Sequence, residues 1–343
     1  MSLKAVLLAA GEGTRMRPLT HRRPKPLVPV AGRPIIEHIA GGLARAGISD
    51  ICLVIGYLGE QLQQRLGDGT RLGARLHYRW QEEYGGTGAA LLLAEDFIGG
   101  DRFVLGWGDI IIPPGNYRRM LQVYERERPE AMLAVNWVED PWEGAAVYVQ
   151  DGFIDRIIEK PEPGTSTTNF NNAGLFVFGP EMLEVLRETP LSPRGELEVP
   201  SAIDAMLQAG ARIRAFEIEG YWSDVARPSS AVAISGEIIK GMSHSGRIFH
   251  PLARVAPGAE VVPPVLIGPD AVVEAARIGP NATIMAGACV GRDSAVADAM
   301  VLPGAVVGAG CDLRDVVIEA GAQVPDGTGV AGEQGEVAVL GGA

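Results

Sequence analysis

A chain of 343 residues exceeds the size at which one hydrophobic core keeps growing, so two domains are expected. With 47% hydrophobic and 21% charged residues, the composition is that of a folded soluble protein and excludes a disordered one. A formal net charge of −12 argues against nucleic acid or an anionic membrane surface as the main partner, and leaves room for a local anion site.

Taken in chain order, the apolar run Ala5–Ala10 comes first. It is too short to span a bilayer, lacks the n-region and cleavage site of a signal peptide, and reads as a buried strand. Lys4–Ala10, Asp50–Ile55, Arg102–Gly106 and Ala131–Val138 read as strands, and Pro34–Ala46, Gly59–Leu66, Gly88–Ala94 and Tyr117–Glu127 as helices between them. That rhythm predicts a Rossmann-like α/β domain over residues 1–228, a mostly parallel sheet covered on both faces. Ligands on such sheets bind beyond the carboxyl ends of the strands, so the loops after strands matter most. Residues 229–246, with Val232, Ile234, Ile238 and Ile239, read as a linking helix.

From Arg247 the pattern changes to a six-residue period: Val261, Ile267, Val273; Ile278, Ile284, Val290, Val296; Val301, Val307, Leu313; Ile318, Val324. The breaks between groups are five residues, as if one residue were dropped at a corner. One small aliphatic inward per side is the signature of a parallel β-helix, expected over 247–328. The Gly-rich stretch 329–343 shows no period and is expected to be mobile. Cys52, Cys289 and Cys311 form no metal-ligand spacing, and an odd, sparse set suits reduced thiols in a cytoplasm.

The first strand runs into Gly11-Glu12-Gly13-Thr14-Arg15-Met16-Arg17-Pro18-Leu19-Thr20. Glycines directly after a strand let backbone N–H groups approach a phosphate. Neither a dinucleotide fingerprint nor a Walker A loop is complete here, and a lone G-x-G reads more readily as a tight strand-to-loop turn. The surrounding charge favours the anion: Arg15, Arg17, Arg22, Arg23 and Lys25 fall within eleven residues, with no acid among them.

The stretch from Gly11 to Thr20, with Arg23-Pro24-Lys25-Pro26-Leu27-Val28-Pro29-Val30-Ala31-Gly32-Arg33-Pro34, closely resembles the signature of the nucleoside-diphosphate-sugar pyrophosphorylases. This family of sugar-1-phosphate nucleotidyltransferases includes glucose-1-phosphate thymidylyltransferases, mannose-1-phosphate guanylyltransferases and uridylyl relatives, and commonly carries a trailing left-handed β-helix. The resemblance implies that Arg15 and Lys25 hold the triphosphate and stabilise its charge, and that Gly11, Gly13 and Thr14 belong to the loop wrapping the nucleotide. It implies a base-reading role for Gln81 and for Gly86 and Thr87. Asp109, after the apolar run Phe103–Gly108, and Asp224, in Gly220-Tyr221-Trp222-Ser223-Asp224, match the aspartates that hold Mg2+. Two carboxylates suffice for magnesium when substrate phosphates complete its shell. Gly144, Glu159, Lys160 and Asn172 match residues that meet the sugar and its phosphate, and Trp222 reads either as a wall of that pocket or as core. Ala226 departs from the pattern, since many relatives have glycine there.

The reaction so implied is an in-line displacement at the α-phosphorus of a nucleoside triphosphate by a sugar 1-phosphate. The partners are those two substrates, with homo-oligomerisation through the β-helix. Mannose 1-phosphate with GTP is slightly favoured over glucose 1-phosphate with dTTP or UTP. A nucleotide-sugar-sensing regulatory subunit is the rival from another class, weakened because Arg15, Lys25, Asp109 and Asp224 are all kept. An acyltransferase activity in the β-helix lacks a histidine in the coils, His244 and His250 both preceding the repeats.

Overall fold

The computed structural model of the chain describes residues 3–333 and 335–341. It separates into two compact units, one made of Met1–Glu12 with Ile36–Trp222, the other of Gly13–Ile35 with Ser223–Ala343. This partition differs from the expected division at residue 228. The segment that carries the basic signature groups with the C-terminal part of the chain, because its own partners lie there: the Ala31 N–H donates to the buried Ser235 Oγ at 2.9 Å.

The first unit is built on a nine-stranded sheet. Its strands are β1 (Lys4–Ala9), β2 (Asp50–Ile55), β3 (Arg75–Trp80), β4 (Phe103–Trp107), β5 (Ala131–Trp137), β6 (Ala145–Gln150), β7 (Phe153–Glu159), β8 (Phe170–Phe178) and β9 (Ile213–Glu217). In space they run β3-β2-β1-β4-β8-β5-β9-β7-β6. From β3 to β4 all neighbours are parallel, with Ala5 opposite Ile51 and Val6 opposite Leu105, as the strand–helix alternation predicts. The second half is mixed. Strand β8 follows the β6–β7 hairpin without a crossover helix, so nothing forces it parallel, and it lies antiparallel to both β4 and β5. The helices include α1 (Ile35–Arg45), α2 (Gly59–Leu66), α3 (Gly86–Leu92), α4 (Gly115–Glu127), α5 (Glu181–Glu188) and α6 (Val199–Gln208). One face of the sheet buries Val6, Leu105, Leu133, Phe176 and Phe178 against Leu186 and Ile203, and the Phe176 and Phe178 rings stack at 5.4 Å. This apolar slab is what fixes the strand ends, and with them the loops that carry chemistry.

In the second unit, α7 (Pro228–Met242) opens with proline in its first turn, where the missing N–H costs nothing. The β-helix follows as expected. Arg247–Phe249, Val265–Ile267, Ala282–Ile284, 299–301, 316–318 and Ala338–Leu340 stack in parallel on one face. Ile267 lies over Ile284, Ile284 over Val301 and Val301 over Ile318, steps of 17 residues made of two six-residue sides and one of five. The inward aliphatics of the period are buried, with Ile278, Ile284, Val296 and Val301 fully enclosed. The expectation of a mobile stretch from 329 onward is corrected: Gly329–Ala331 and Ala338–Leu340 both pair in parallel with Asp312–Ile318. An insertion stretches the last step, Ile318 to Leu340, to 22 residues, which hides the period from the sequence. Residues 334, 342 and 343 of that stretch lie outside the described residues. Among the described residues no helix is long and apolar enough to cross a membrane.

Candidate active site

In the first unit the carboxyl ends of β1, β2 and β3 converge. The Tyr57 N–H donates to Ala10 O at 3.0 Å and the Gln81 N–H to Ile55 O at 2.8 Å. Gly56 makes the approach possible, since a Cβ there would stand 2.8 Å from Ala10 O and 3.2 Å from Gln81 O. The exposed Gly11 and the buried Gln81 thus follow the ends of β1 and β3, the two strands that flank β2. Gly86 and Thr87 open α3, but their loop also has a structural duty. Leu197 N–H donates to Gly85 O and Gly88 N–H to Leu197 O, each at 2.8 Å. The Thr87 hydroxyl accepts the Val199 N–H at 3.0 Å, capping α6. A Cβ on Gly86 would stand 2.3 Å from Leu197 O, so this glycine is explained by a backbone clamp whatever else it meets.

Asp109 is half-buried just past β4, where Gly108 donates its N–H to Leu8 O at 2.7 Å and holds the turn against β1. On the other half of the sheet, the Lys160 N–H donates to Gly144 O at 2.8 Å across the mouth of the β6–β7 hairpin. Lys160 takes a left-handed conformation, φ 43°, which turns the chain out of β7. Glu159 and Lys160 line a pocket of about 760 Å³ with Thr189, Arg194, Glu198 and Asp204. Glu159 is exposed at the rim of that pocket, yet partial loss of water at its carboxyl raises its pKa, with Lys160 opposing and Glu198 reinforcing the shift. Gly144, Asn172 and Trp222 do not line this pocket. Asn172 Oδ1 accepts the Gly174 N–H at 2.9 Å, within the bulge of β8, and Trp222 Nε1 donates to Ala173 O at 3.1 Å. Asn172 and Trp222 therefore meet at the Ala173–Gly174 bulge.

Arg194 is a residue that the sequence reading missed. It faces the same pocket as Lys160 and reaches Glu198 Oε1 at 2.5 Å through Nη2. The available signal was the run Arg194-Gly195-Glu196-Leu197-Glu198, a glycine turn with charges four apart just before a helix.

In the second unit, Gly13 stands at φ 63°, and a Cβ there would lie 2.7 Å from Lys25 Cβ. The Thr20 hydroxyl donates to Gly13 O at 2.9 Å and closes the loop, with Thr14 and Arg15 exposed on its short turn and Met16 buried beneath. Lys25 is 8% exposed, and its ammonium donates to Asp224 O at 3.0 Å. Val225, the next residue, is fully buried at φ 38°, a conformation strained for a β-branched side chain. The Ser223 Oγ supports this turn by accepting the Val225 N–H at 3.1 Å.

Residues 4–241 match the family model described as nucleotidyl transferase, and residues 256–337 match the GlmU-like C-terminal hexapeptide model. The chain belongs to the nucleotidyl transferase family. It is 35% identical over 243 residues to the low-salt glycan biosynthesis nucleotidyltransferase Agl11 of Haloferax volcanii, covering 70% of this chain and 67% of the relative. It is 33% identical to a glucose-1-phosphate thymidylyltransferase of Streptomyces antibioticus, covering 70% and 67%. A putative glucose-1-phosphate thymidylyltransferase from Bacillus anthracis, solved with sucrose, superposes with a TM-score of 0.62 at 30% identity over 68% of this chain and 95% of that one.

Nucleotidyl transferases of this family generally use a divalent metal. Among the described residues no group of three or more His, Cys, Asp or Glu could cage a metal. A divalent ion held by so few protein carboxylates would complete its shell with phosphate and water. One member of the expected basic island is already spent: Arg23 forms an ion pair with Glu319. The departure at Ala226 leaves the turn intact, because the residue in the left-handed region is Val225.

Proposed function

We propose that the chain transfers a nucleoside monophosphate from a nucleoside triphosphate to a sugar 1-phosphate and releases pyrophosphate, with glucose 1-phosphate and dTTP or UTP as the substrate pair. The observation that carries this is Lys25, a buried ammonium seated on the Gly13 loop and bonded to the backbone of Asp224, 199 residues away. Two motif segments of the family are thereby joined in one cluster. The choice of sugar and base is supported by relatives named as glucose-1-phosphate thymidylyltransferases, and by a glucose-1-phosphate uridylyltransferase of Haloferax volcanii, 36% identical over 66% of this chain and 92% of its own. Mannose 1-phosphate with GTP is the competing pair.

An oxygen of the sugar phosphate forms a bond to the α-phosphorus as the bond to pyrophosphate breaks. The attacking phosphate is already ionised at neutral pH, so neither a covalent nucleophile nor a strong base is required. Both reactants are anions, and the work of the protein is to neutralise and align them. Arg15 and Lys25 hold the triphosphate, with Gly11, Gly13 and Thr14 supplying close backbone. Gln81 meets the base, assisted by Gly86 and Thr87. Lys160, with Arg194 on the same pocket, neutralises the sugar phosphate, and Glu159, Gly144, Asn172 and Trp222 orient the sugar. Asp109 and Asp224 would hold magnesium, which supplies positive charge to the phosphates when bound. The β-helix is assigned a second duty, assembly of a homo-oligomer, which light scattering measures directly.

Pyrophosphate release from the full chain, with Mg2+, four triphosphates and a panel of sugar 1-phosphates, tests the reading. Strong release with glucose 1-phosphate and dTTP or UTP, lost in Arg15→Ala and Asp109→Ala, is the expected result. Preference for mannose 1-phosphate and GTP would overturn the substrate pair. Silence with every pair would overturn the reaction and favour a sensing role.

A further inference from the structure

The corner that follows each strand on one face of the β-helix is filled by Gly268, Met285, Leu302 and Glu319, spaced by the 17-residue turn. Each donates its N–H to the next turn in the same way, to Ile284 O, Val301 O, Ile318 O and Leu340 O. Met285 and Leu302 are buried apolar side chains, so this position has an apolar solution. Glu319 breaks the series with a carboxylate that is also buried, 8% exposed. A buried charge is costly unless paired, and the pair that satisfies it seldom stabilises more than apolar residues would. Stability therefore gives no reason for the acid. Its partner does: Glu319 Oε2 pairs with Arg23, and also accepts the Ala320 N–H at 3.2 Å, which fixes the carboxylate from its own backbone.

Arg23 stands one proline away from Lys25. Pro24 holds φ at −68°, and Lys25–Leu27 form a single tight turn, closed by Leu27 N–H to Pro24 O and Val28 N–H to Lys25 O, both at 2.9 Å. Few soft backbone torsions separate the two residues, so holding the guanidinium restrains the turn from which the Lys25 side chain extends to Asp224 O. We propose that Glu319 is a positioning residue: through Arg23, the late turns of the β-helix hold the loop that presents Lys25 to the phosphates of the nucleotide. The assignment rests on the role of Lys25 proposed above. The β-helix then serves the reaction itself, besides any part in assembly.

The test uses the full chain with Glu319→Gln, Arg23→Glu, Glu319→Arg and the reciprocal double variant Arg23→Glu/Glu319→Arg. Glu319→Gln is expected to lower kcat by roughly tenfold to a hundredfold, the upper figure being what a misplacement of about 1 Å can cost, with the KM for sugar 1-phosphate nearly unchanged. Each charge-reversal single variant should fall further, and the swap should recover most of kcat. Amide hydrogen exchange is read in parallel. Leu27 and Val28 should exchange at least about tenfold faster in Glu319→Gln, while Met285 and Leu302 stay protected. Unchanged kcat and unchanged exchange at Leu27 and Val28 would overturn the proposal, as would a kcat loss that the swap fails to recover. If the parent chain releases no pyrophosphate, the reaction assigned above fails, and the exchange data alone decide whether Glu319 holds the loop.

Discussion

At the residue scale, two positions carry features that read as signs of function. The pKa of Glu159, an exposed residue at the pocket rim, is raised chiefly by partial loss of water at its carboxyl. A carboxyl whose pKa is raised on folding favours the folded state at pH values below its unfolded pKa, and that benefit is lost as pH rises through the folded value. Glu159→Gln is thus expected to match or exceed the parent in melting temperature at pH 7, with the difference vanishing below the carboxylate range. The same variant should raise the KM for sugar 1-phosphate. Melting curves across pH check the first part, and a parent that is more stable than the variant at pH 7 would contradict it. Gly13 is the second case. Alanine there must adopt φ 63°, which costs about 1–2 kcal/mol, and its Cβ meets Lys25 Cβ at 2.7 Å. Gly13→Ala should lose that stability and also most turnover, because the collision is with the lysine proposed to hold the triphosphate. Loss of stability with full turnover would mean that Lys25 has no part in the reaction. Such residues were legible in sequence as types, a glycine loop beside cations. The Arg23–Glu319 pair was not, because its members lie 296 residues apart and each is an ordinary charge in its own neighbourhood.

At the element scale, legibility follows the range of the interaction. The β-helix could be read because each turn repeats a local rule, one inward aliphatic per side and a dropped residue at a corner, as Ile267, Ile284, Val301 and Ile318 show. Its last turn could not, since the insertion before Ala338–Leu340 breaks the count. The parallel half of the sheet was legible from strand–helix alternation, whereas β8 was not, because an antiparallel neighbour follows from a hairpin with no helix to announce it. The linking helix α7 was legible as a helix, but its use was hidden. Ser235, buried on it, takes the Ala31 N–H at 2.9 Å and gives its own proton to Ala231 O at 2.7 Å. The Ala31 N–H sits on the signature segment. Ser235→Ala leaves it buried and unpaired, at a cost of about 1–3 kcal/mol, and urea unfolding should show a lower midpoint. An unchanged midpoint would mean that water or a shifted backbone takes up the donor.

At the scale of the whole molecule, the sequence pattern divides the chain near residue 228, while the contacts group Gly13–Ile35 with the C-terminal part. Helix α7 lies against the stacked strands of the β-helix and against Pro29–Val30 of the signature segment, burying Val232, Ile234, Ile238 and Ile239. Leu266 of the β-helix covers Gly32, and Glu319 holds Arg23. A chain ended after Met242 keeps every residue proposed for catalysis and loses Leu266, Glu319 and the surface on which α7 rests. Exposing even two or three of those aliphatics costs about 1.5–3 kcal/mol each, a large share of the margin by which a domain is stable. The shortened chain is expected to bind a hydrophobic dye, to melt well below the parent, and to release pyrophosphate at a small fraction of the parental rate with saturating substrates. Equal melting and equal turnover would show that Gly13–Ile35 holds its shape without the β-helix, and that the coils serve assembly alone.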